Sequence, residues 1–254
     1  FVEINENLVL DLDDLAQKAT SSGARFLLLS HMRGHIVDMN KLMRIVQEKN
    51  LILIEDCAHT MGTQWRKQKS GNFGLAGCFS TQTYKHLNSG EGGLLTSNDE
   101  EFMARAIIYS GSYMLYERHS AAPSSEVFSE IRLQTPNYSG RMDNLRASIL
   151  RPQLKNLEKS INRWNERYQL VEAELREING MEVPQRLDEE RYVGSSIQFR
   201  IPGITKSEAE RFIKKNKQLG VELKWFGNDD PSGFTSNHKS WKYVSQRQLN
   251  ISDD

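Results

Sequence analysis

A lysine in a polar loop, Lys85, is the side chain with the clearest potential for covalent chemistry. A glycine-rich run at residues 90–93 (GEGG) follows it, and Ser80 precedes it. Glycines leave room for a bulky ligand, while a serine hydroxyl and exposed backbone amides are suitable donors to a phosphate. A solvated lysine beside a tight hairpin would explain the same residues. The spacing leaves both interpretations open, a covalent amine site near a phosphate and an ordinary loop.

A carboxylate, Asp56, stands at the end of an apolar run at residues 51–55 (LILIE). Removing a carboxylate from water at such a position is costly unless it meets a cation. The alternative role is to cap a turn or to pair with an arginine, because aspartate is a common capping residue. Asp56 is therefore a candidate charge partner for a cationic group.

Histidines add a second possible chemistry at the same place. His31 and His35 follow residues 25–30 (RFLLLS), and His59 comes three residues after Asp56. Imidazole and carboxylate groups bind zinc and iron, so these side chains could form the site of a metal-dependent hydrolase. However, His31 and His35 span a glycine turn rather than a helix, so their spacing does not place them on a shared face.

The two apolar runs predict the elements that would bring these residues together. Residues 25–30 and 51–55 lack polar alternation, which predicts strands covered on both faces. Residues 38–49 (DMNKLMRIVQEK) carry an apolar stripe that is typical of a helix. Strand, helix and strand at this spacing predict a parallel pair, and ligands of such sheets bind beyond the carboxyl ends of the strands.

The whole pattern predicts an α/β protein with a mostly parallel central sheet, flanking helices and a smaller α+β part. We expect a large domain over residues 1–150 and a small domain over residues 151–254. The remaining elements are expected as helices at 13–19, 100–109, 141–178 (interrupted at Pro152) and 207–219, strands at 77–81, 94–97 and 222–226, two strands within 182–201, and a loop at 121–129.

Composition excludes several classes of partner. The 33 basic and 33 acidic residues give a net charge of zero, so no long-range field draws the chain to nucleic acid or to an anionic membrane. No apolar run is long enough to span a bilayer. Cys57 and Cys78 match no zinc or disulfide spacing, which predicts buried thiols in a reducing compartment, the cytoplasm by default. Because Phe1 lies inside a strand-like pattern, we expect a fragment of a longer protein.

Several motifs, taken in order, resemble the DegT/DnrJ/EryC1/StrS family of sugar aminotransferases. That family has E-D-x-A-[QH], then F-S-x-x-x-x-K, then G-E-G-G at similar distances, and several spaced motifs are more specific than one. The matching segments are residues 54–62 (IEDCAHTMG), 78–85 (CFSTQTYK) and 89–93 (SGEGG), with further likeness at 31–39 (HMRGHIVDM) and 139–143 (SGRMD).

The resemblance implies a fold-type-I enzyme that depends on pyridoxal 5'-phosphate. By that resemblance Lys85 forms the Schiff base with the cofactor, and Asp56 faces its pyridine nitrogen. His59 contacts the phenolic oxygen of the ring, and Ser80 holds the phosphate. The implied reaction passes an amino group from an amino acid, with glutamate as the expected donor, to a keto sugar carried on a nucleotide.

Two departures from the family pattern bear on the cofactor site. Ser139 stands where the family has an asparagine that reaches the phosphate of the neighbouring subunit of a homodimer, and a serine hydroxyl can still donate there. We also expect that the family's N-terminal part, with a phosphate-binding turn and a ring stacked on the cofactor, lies outside this sequence. The alternative function is a non-catalytic cofactor or sugar sensor, against which Lys85 argues. Lys85 also argues against a sugar dehydratase that has histidine in place of the lysine.

Overall fold

A computed structural model of the chain describes residues 1–111 and 116–226. The chain divides into two compact units, of which the larger comprises Val2–Phe199 and the smaller comprises Phe1 and Arg200–Asp254. A large domain ending at residue 150, followed by a small domain over 151–254, stays a prediction for the protein. All candidate site residues lie in the larger unit.

The helices and strands of the described residues follow in chain order. They are α1 (Leu12–Ser22), β1 (Phe26–Ser30), α2 (Met39–Glu48), β2 (Ile52–Asp56), β3 (Gln64–Trp65), β4 (Gln68–Lys69), β5 (Ala76–Ser80), β6 (Gly93–Thr96), α3 (Glu100–Ser110), α4 (Ser125–Gln134), α5 (Asn144–Lys155), α6 (Leu157–Arg176), β7 (Glu190–Arg191) and α7 (Lys206–Gln218), with 3-10 turns at Met32–Gly34 and Tyr116–Arg118.

The central sheet has the strand order β1-β2-β5-β6. β1, β2 and β5 are parallel, and β6 pairs antiparallel with β5 as the return arm of a hairpin. This arrangement confirms the predicted α/β class with a mostly parallel sheet. A second, small antiparallel sheet has β3 as its middle strand, between β4 and β7.

One face of the central sheet is packed against α1 and α2. Both helices begin at aspartates, since Asp11 accepts hydrogen bonds from the amides of Asp13 and Asp14, and Asp38 accepts one from Lys41. These caps place the apolar stripes of the two helices over the sheet. The resulting core contains Leu15 of α1, Met39, Leu42 and Val46 of α2, Leu27 and Leu29 of β1, and Leu53 of β2.

The opposite face of the sheet is open along β1, and for this strand the sequence prediction of cover on both faces is wrong. Phe26 is 60% exposed and Leu28 is 70% exposed, while the alternate residues of β1 are buried. Cys78 of β5 is exposed as well, so only Cys57 confirms the expectation of buried thiols. A run of apolar residues shows that both faces of a strand are apolar. It does not show whether the described residues include a segment that covers each face.

Three local predictions outside the sheet also differ from the structure. Residues 121–129 were expected to form a loop, but α4 starts at Ser125 because Phe128 and Ile131 pack against α3. Residues 182–201 contain one two-residue strand instead of two strands, and residues 222–226 are not a strand. In each case tertiary contacts, or their absence, override weak local propensity.

The long helical pattern is divided as expected, but not at the proline itself. Pro152 lies inside α5, and the break comes at Asn156, whose side-chain amide donates to the Pro152 carbonyl at 2.9 Å. α6 then runs for 20 residues. Pro152 lacks only the N–H that would donate to the carbonyl of residue 148, so α5 continues past the proline to Lys155.

Candidate functional site

The register of the parallel strands places Asp56 at the carboxyl ends of the strands, beside residues of both neighbouring strands. Ser30, Asp56 and Cys78 are aligned across β1, β2 and β5. Because side chains alternate along a strand, Ser80 lies on the same face as Cys78, two residues further along β5. The carboxyl ends of three parallel strands therefore present a carboxylate flanked by hydroxyl and thiol groups.

Both carboxylate oxygens of Asp56 accept hydrogen bonds. The Ala58 amide donates to Oδ1 at 3.0 Å, which is the turn-capping role that the sequence left open. The Ser30 hydroxyl donates to Oδ2 at 3.0 Å. Sequence reasoning missed Ser30, although aligning the ends of the two predicted strands would have placed it beside Asp56.

The amine of Lys85 contacts an imidazole. Lys85 Nζ lies 3.1 Å from His59 Nε2. Burial lowers the pKa of Lys85, the charge of Asp56 opposes this shift, and the charge of Arg33 adds to it. Burial, followed by the positive charges of Lys85 and Arg33, lowers the pKa of His59 to about 4. His59 is therefore neutral near pH 7 and accepts a hydrogen bond from the Lys85 ammonium group.

Lys85 stands in the loop of the β5–β6 hairpin, at residues 81–92. The Thr81 amide donates to the Gly92 carbonyl at 2.9 Å, and the Thr83 amide donates to the Gly90 carbonyl at 3.0 Å. A Cβ on Gly92 would lie 2.8 Å from the Thr81 hydroxyl and 2.9 Å from the Met142 methyl group. Gly92 also has φ of 134°, a backbone conformation that favours glycine, so the hairpin accounts for this residue.

The two serine candidates are in different surroundings. Ser80 Oγ accepts from the Gln82 amide at 3.3 Å, so its own proton remains available for an acceptor such as a phosphate oxygen. Ser139 is exposed, has φ of 53°, and donates its amide to Asn137 Oδ1 at 2.7 Å. Its Cα lies close to Gly111. No hydrogen bond within the described residues links Ser139 to the other four candidates, and its role stays a prediction.

The structure does not place the four residues of the metal hypothesis, His31, His35, Asp56 and His59, at metal-binding distances from one another. Within the described part of the chain, the group with ligand atoms at metal-binding separations is His31, Glu55 and Cys57, all within 4.8 Å of one another. Burial raises the pKa of the Cys57 thiol to about 12, so it stays protonated and is a poor ligand. Burial also lowers the pKa of His35 to about 3, with Arg186 contributing, which makes His35 a neutral core residue.

Glu55 is already satisfied by the protein itself. Oε1 accepts from the amides of Phe73 and Gly74 at 2.8 and 3.1 Å. Oε2 accepts from the Gly71 amide at 2.9 Å and lies 3.1 Å from His31 Nε2. These hydrogen bonds explain a fully buried carboxylate without a metal ion. Glu55 therefore anchors the segment before β5 through these hydrogen bonds.

The donor set at the sheet edge suits pyridoxal phosphate. It offers a lysine amine of lowered pKa, a carboxylate on the neighbouring strand, a neutral imidazole and a serine hydroxyl. An α/β protein with an amine and a carboxylate at the carboxyl edge of its parallel strands is typical of a cofactor-dependent enzyme. The model of the DegT/DnrJ/EryC1/StrS aminotransferase family matches residues 1–229, and the chain belongs to this family.

Known proteins with related sequences are longer than this chain. The spore coat polysaccharide biosynthesis protein SpsC of Bacillus subtilis (strain 168) is 26% identical over 231 residues, which are 88% of this chain and 58% of that protein. The GDP-perosamine synthase of Escherichia coli O157:H7 is 28% identical over 162 residues, 64% of this chain and 41% of that protein. The chain thus spans about half the length of these relatives.

Solved structures support the fold. AtS13 from Actinomadura melliaura superposes with a TM-score of 0.77 at 23% identity, covering 99% of this chain and 64% of that chain. At this identity the likeness supports the architecture alone.

Within the described residues, none of the helices has the length and apolarity needed to cross a lipid bilayer.

Proposed function

We propose that the protein containing this chain is a pyridoxal-phosphate-dependent aminotransferase. It moves an amino group from an amino acid, with glutamate as the expected donor, to a keto sugar carried on a nucleotide. The observation that carries the proposal is the Lys85 amine, which has a lowered pKa and contacts His59 at the edge where Asp56 ends β2. The names of relatives such as GDP-perosamine synthase support a nucleotide-sugar substrate.

Bound pyridoxal phosphate supplies an electron sink, which works while its ring nitrogen stays protonated. Asp56 has the charge to hold that proton. A carboxylate about 3 Å from the nitrogen contributes roughly 5 kcal/mol at an effective dielectric near 20, on the order of four pKa units. The hydrogen bonds from Ser30 and Ala58 orient the Asp56 carboxylate for this role.

Lys85 has two roles in this proposal. Its amine would hold the cofactor, and its free amine would serve as the base that takes a proton from the substrate carbon. A lowered pKa suits this task, because a larger fraction of the amine is unprotonated near neutral pH. His59 accepts a hydrogen bond from the amine and would contact the phenolic oxygen of the ring. Ser80 would donate to the phosphate.

The proposed assembly follows from the family resemblance, and the proposed location follows from the cysteines. We propose a homodimer, in which Ser139 contacts the cofactor phosphate bound to the neighbouring subunit. The cytoplasm is the proposed location, in accord with the unpaired thiols of Cys57 and Cys78. A non-catalytic sensor is the weaker alternative, because a protein that only binds has no need for an amine of lowered pKa.

Substituting Lys85 tests the proposed function. The purified protein, incubated with pyridoxal phosphate, is expected to show a visible absorption band and an adduct that borohydride makes permanent. Lys85→Ala should abolish both, while Lys155→Ala, which removes an exposed lysine of α5, should retain both. A borohydride-stable adduct in the Lys85→Ala protein would mean that another amine carries the cofactor.

A further inference from the structure

The loop that carries Lys85 is held by a glutamine of α5. The Asn88 amide donates to Gln153 Oε1 at 3.0 Å, and Gln153 Nε2 donates to the Asn88 carbonyl at 2.7 Å. Gln153 Nε2 also donates to the Ile149 carbonyl at 3.0 Å, which fixes the side chain on its own helix. One side-chain amide thus satisfies both polar groups of a loop residue, as a neighbouring strand would do.

A second anchor holds the residue that follows Lys85. His86 Nε2 lies 2.7 Å from the Ser195 hydroxyl. The imidazole also packs edge-on against Trp164 of α6, with 5.3 Å between ring centroids. Burial, followed by electrostatic interactions with His59 and Lys85, lowers the pKa of His86 to about 4. The ring is therefore neutral near pH 7 and adds no charge beside the lysine.

The partner of His86 is itself fixed by α6. Asn165 Oδ1 accepts from the Gly194 amide at 2.7 Å, and Asn165 Nδ2 donates to the Tyr192 carbonyl at 3.0 Å. A Cβ on Gly194 would lie 2.5 Å from the Tyr168 Cβ, so this backbone passes directly over the helix. Ser195 is therefore presented to the loop from a rigid support.

The two anchors hold the part of the loop that lies away from the hairpin hydrogen bonds. Those bonds close residues 81–92 at the base, where Thr81 and Thr83 donate to the carbonyls of Gly92 and Gly90. The anchors at His86 and Asn88 come one and three residues after Lys85. The backbone of Lys85 is consequently restrained on both sides, by the sheet and by α5 and α6.

We propose that Gln153 and His86 are positioning residues for Lys85, which hold its loop against α5 and α6 so that the amine meets the cofactor carbon in one orientation. The proposal rests on the proposed function of Lys85. Both residues act on Lys85 through its loop, and neither is among the residues proposed to bind the cofactor. A displacement of about 1 Å at a reacting group costs up to about 10²-fold in rate, so loosening either anchor should slow the step in which the amine joins the cofactor.

The test measures how fast the cofactor-stripped protein forms a borohydride-stable adduct after pyridoxal phosphate is added. Gln153→Glu has the same shape and still accepts from the Asn88 amide, but it sets a carboxylate oxygen against the Asn88 carbonyl. We expect adduct formation about tenfold slower than in the unsubstituted protein. Gln134→Glu makes the same chemical change at an exposed position of α4 and should keep the original rate.

The second anchor is tested through its partner. Ser195→Ala removes the hydroxyl that contacts His86, whereas Ser195→Thr keeps one. We expect the alanine protein to be several-fold slower and the threonine protein to regain the rate. This pair decides the question if Gln153→Glu fails to fold.

Failure of the two proposals can be distinguished. If the unsubstituted protein forms no adduct, or forms it at a residue other than Lys85, the proposed function fails. If it forms the adduct at Lys85 and the Gln153→Glu and Ser195→Ala proteins match its rate, the positioning proposal is overturned and the proposed function stands. A loss of thermal stability without a slower rate would likewise overturn the positioning role.

Discussion

At the scale of single residues, Asp56 illustrates how one carboxylate can serve local structure and chemistry together. Its Oδ1 caps the turn at Ala58, and its Oδ2 accepts the Ser30 hydroxyl. Each carboxylate oxygen has two lone-pair sites, so these bonds leave acceptor capacity for a ligand. The hydrogen bonds reduce the freedom of the side chain, which favours a single orientation of its charge.

Asp56→Asn separates the charge of this residue from its shape. The amide can still accept through its oxygen, so we expect the variant to bind pyridoxal phosphate. The missing charge should reduce transamination by at least about 10²-fold, because roughly 5 kcal/mol of stabilisation at the ring nitrogen is lost. Cofactor titration and single-turnover amino transfer measure the two effects. Unchanged turnover would remove Asp56 from the mechanism.

At the scale of elements, Glu55 ties β2 to the segment that leads into β5. Burial alone would raise the pKa of Glu55, but hydrogen bonds from His31 and from the amides of Gly71 and Phe73 outweigh it and lower the pKa. The carboxylate thus orders the chain between two strands of the sheet. Because Asp56 is the next residue, this anchor also supports the candidate site.

Glu55→Gln should destabilise the fold by about 3 kcal/mol or more, because an amide cannot accept all four hydrogen bonds and its NH₂ group opposes backbone donors. Glu48→Gln, at an exposed position near the end of α2, makes the same change as a control. Urea unfolding of both variants at pH 7 measures the free energies. Equal stabilities for the two variants would show that the buried hydrogen bonds of Glu55 contribute little.

Elements also show where local patterns succeed and where they do not. Helices are predicted at 13–19, at 38–49 from an apolar stripe, and at 100–109, and the structure has them at Leu12–Ser22, Met39–Glu48 and Glu100–Ser110. α4 was missed because its helicity depends on Phe128 meeting α3. The open face of β1 was missed because residue types alone cannot tell which strand face is covered.

At the scale of the whole molecule, the buried His35 and the half-buried His59 and His86 couple folding to pH. Burial is the largest cause that lowers the pKa of His35 to about 3 and the pKa values of His59 and His86 to about 4. Unfolded histidine has a pKa near 6.5, so the unfolded chain binds these protons first. Their contribution to stability is therefore present above about pH 6.5 and is lost as the pH falls toward 4 and 3.

The free energy of unfolding should consequently fall between pH 7 and pH 5. Each fully buried histidine contributes at most about 2 kcal/mol to that fall, and a partly exposed one contributes less. We expect His35→Gln to lose about 2 kcal/mol less than the unsubstituted protein over this range, as measured by urea unfolding at both pH values. His119→Gln, which changes an exposed histidine, should leave the fall intact. Equal pH slopes for the His35→Gln protein and the unsubstituted protein would contradict the assignment.

The sequence by itself determined the α/β class, the parallel strands and the candidate amine and acid, because these depend on residue type and on spacing along the chain. The tertiary structure decided the contacts of those residues. Ser30 reaches Asp56, Lys85 reaches His59, and Gln153 reaches Asn88 only after strands and helices far apart in sequence are packed in one register. Side-chain contacts across such distances depend on register and packing, which no local pattern encodes.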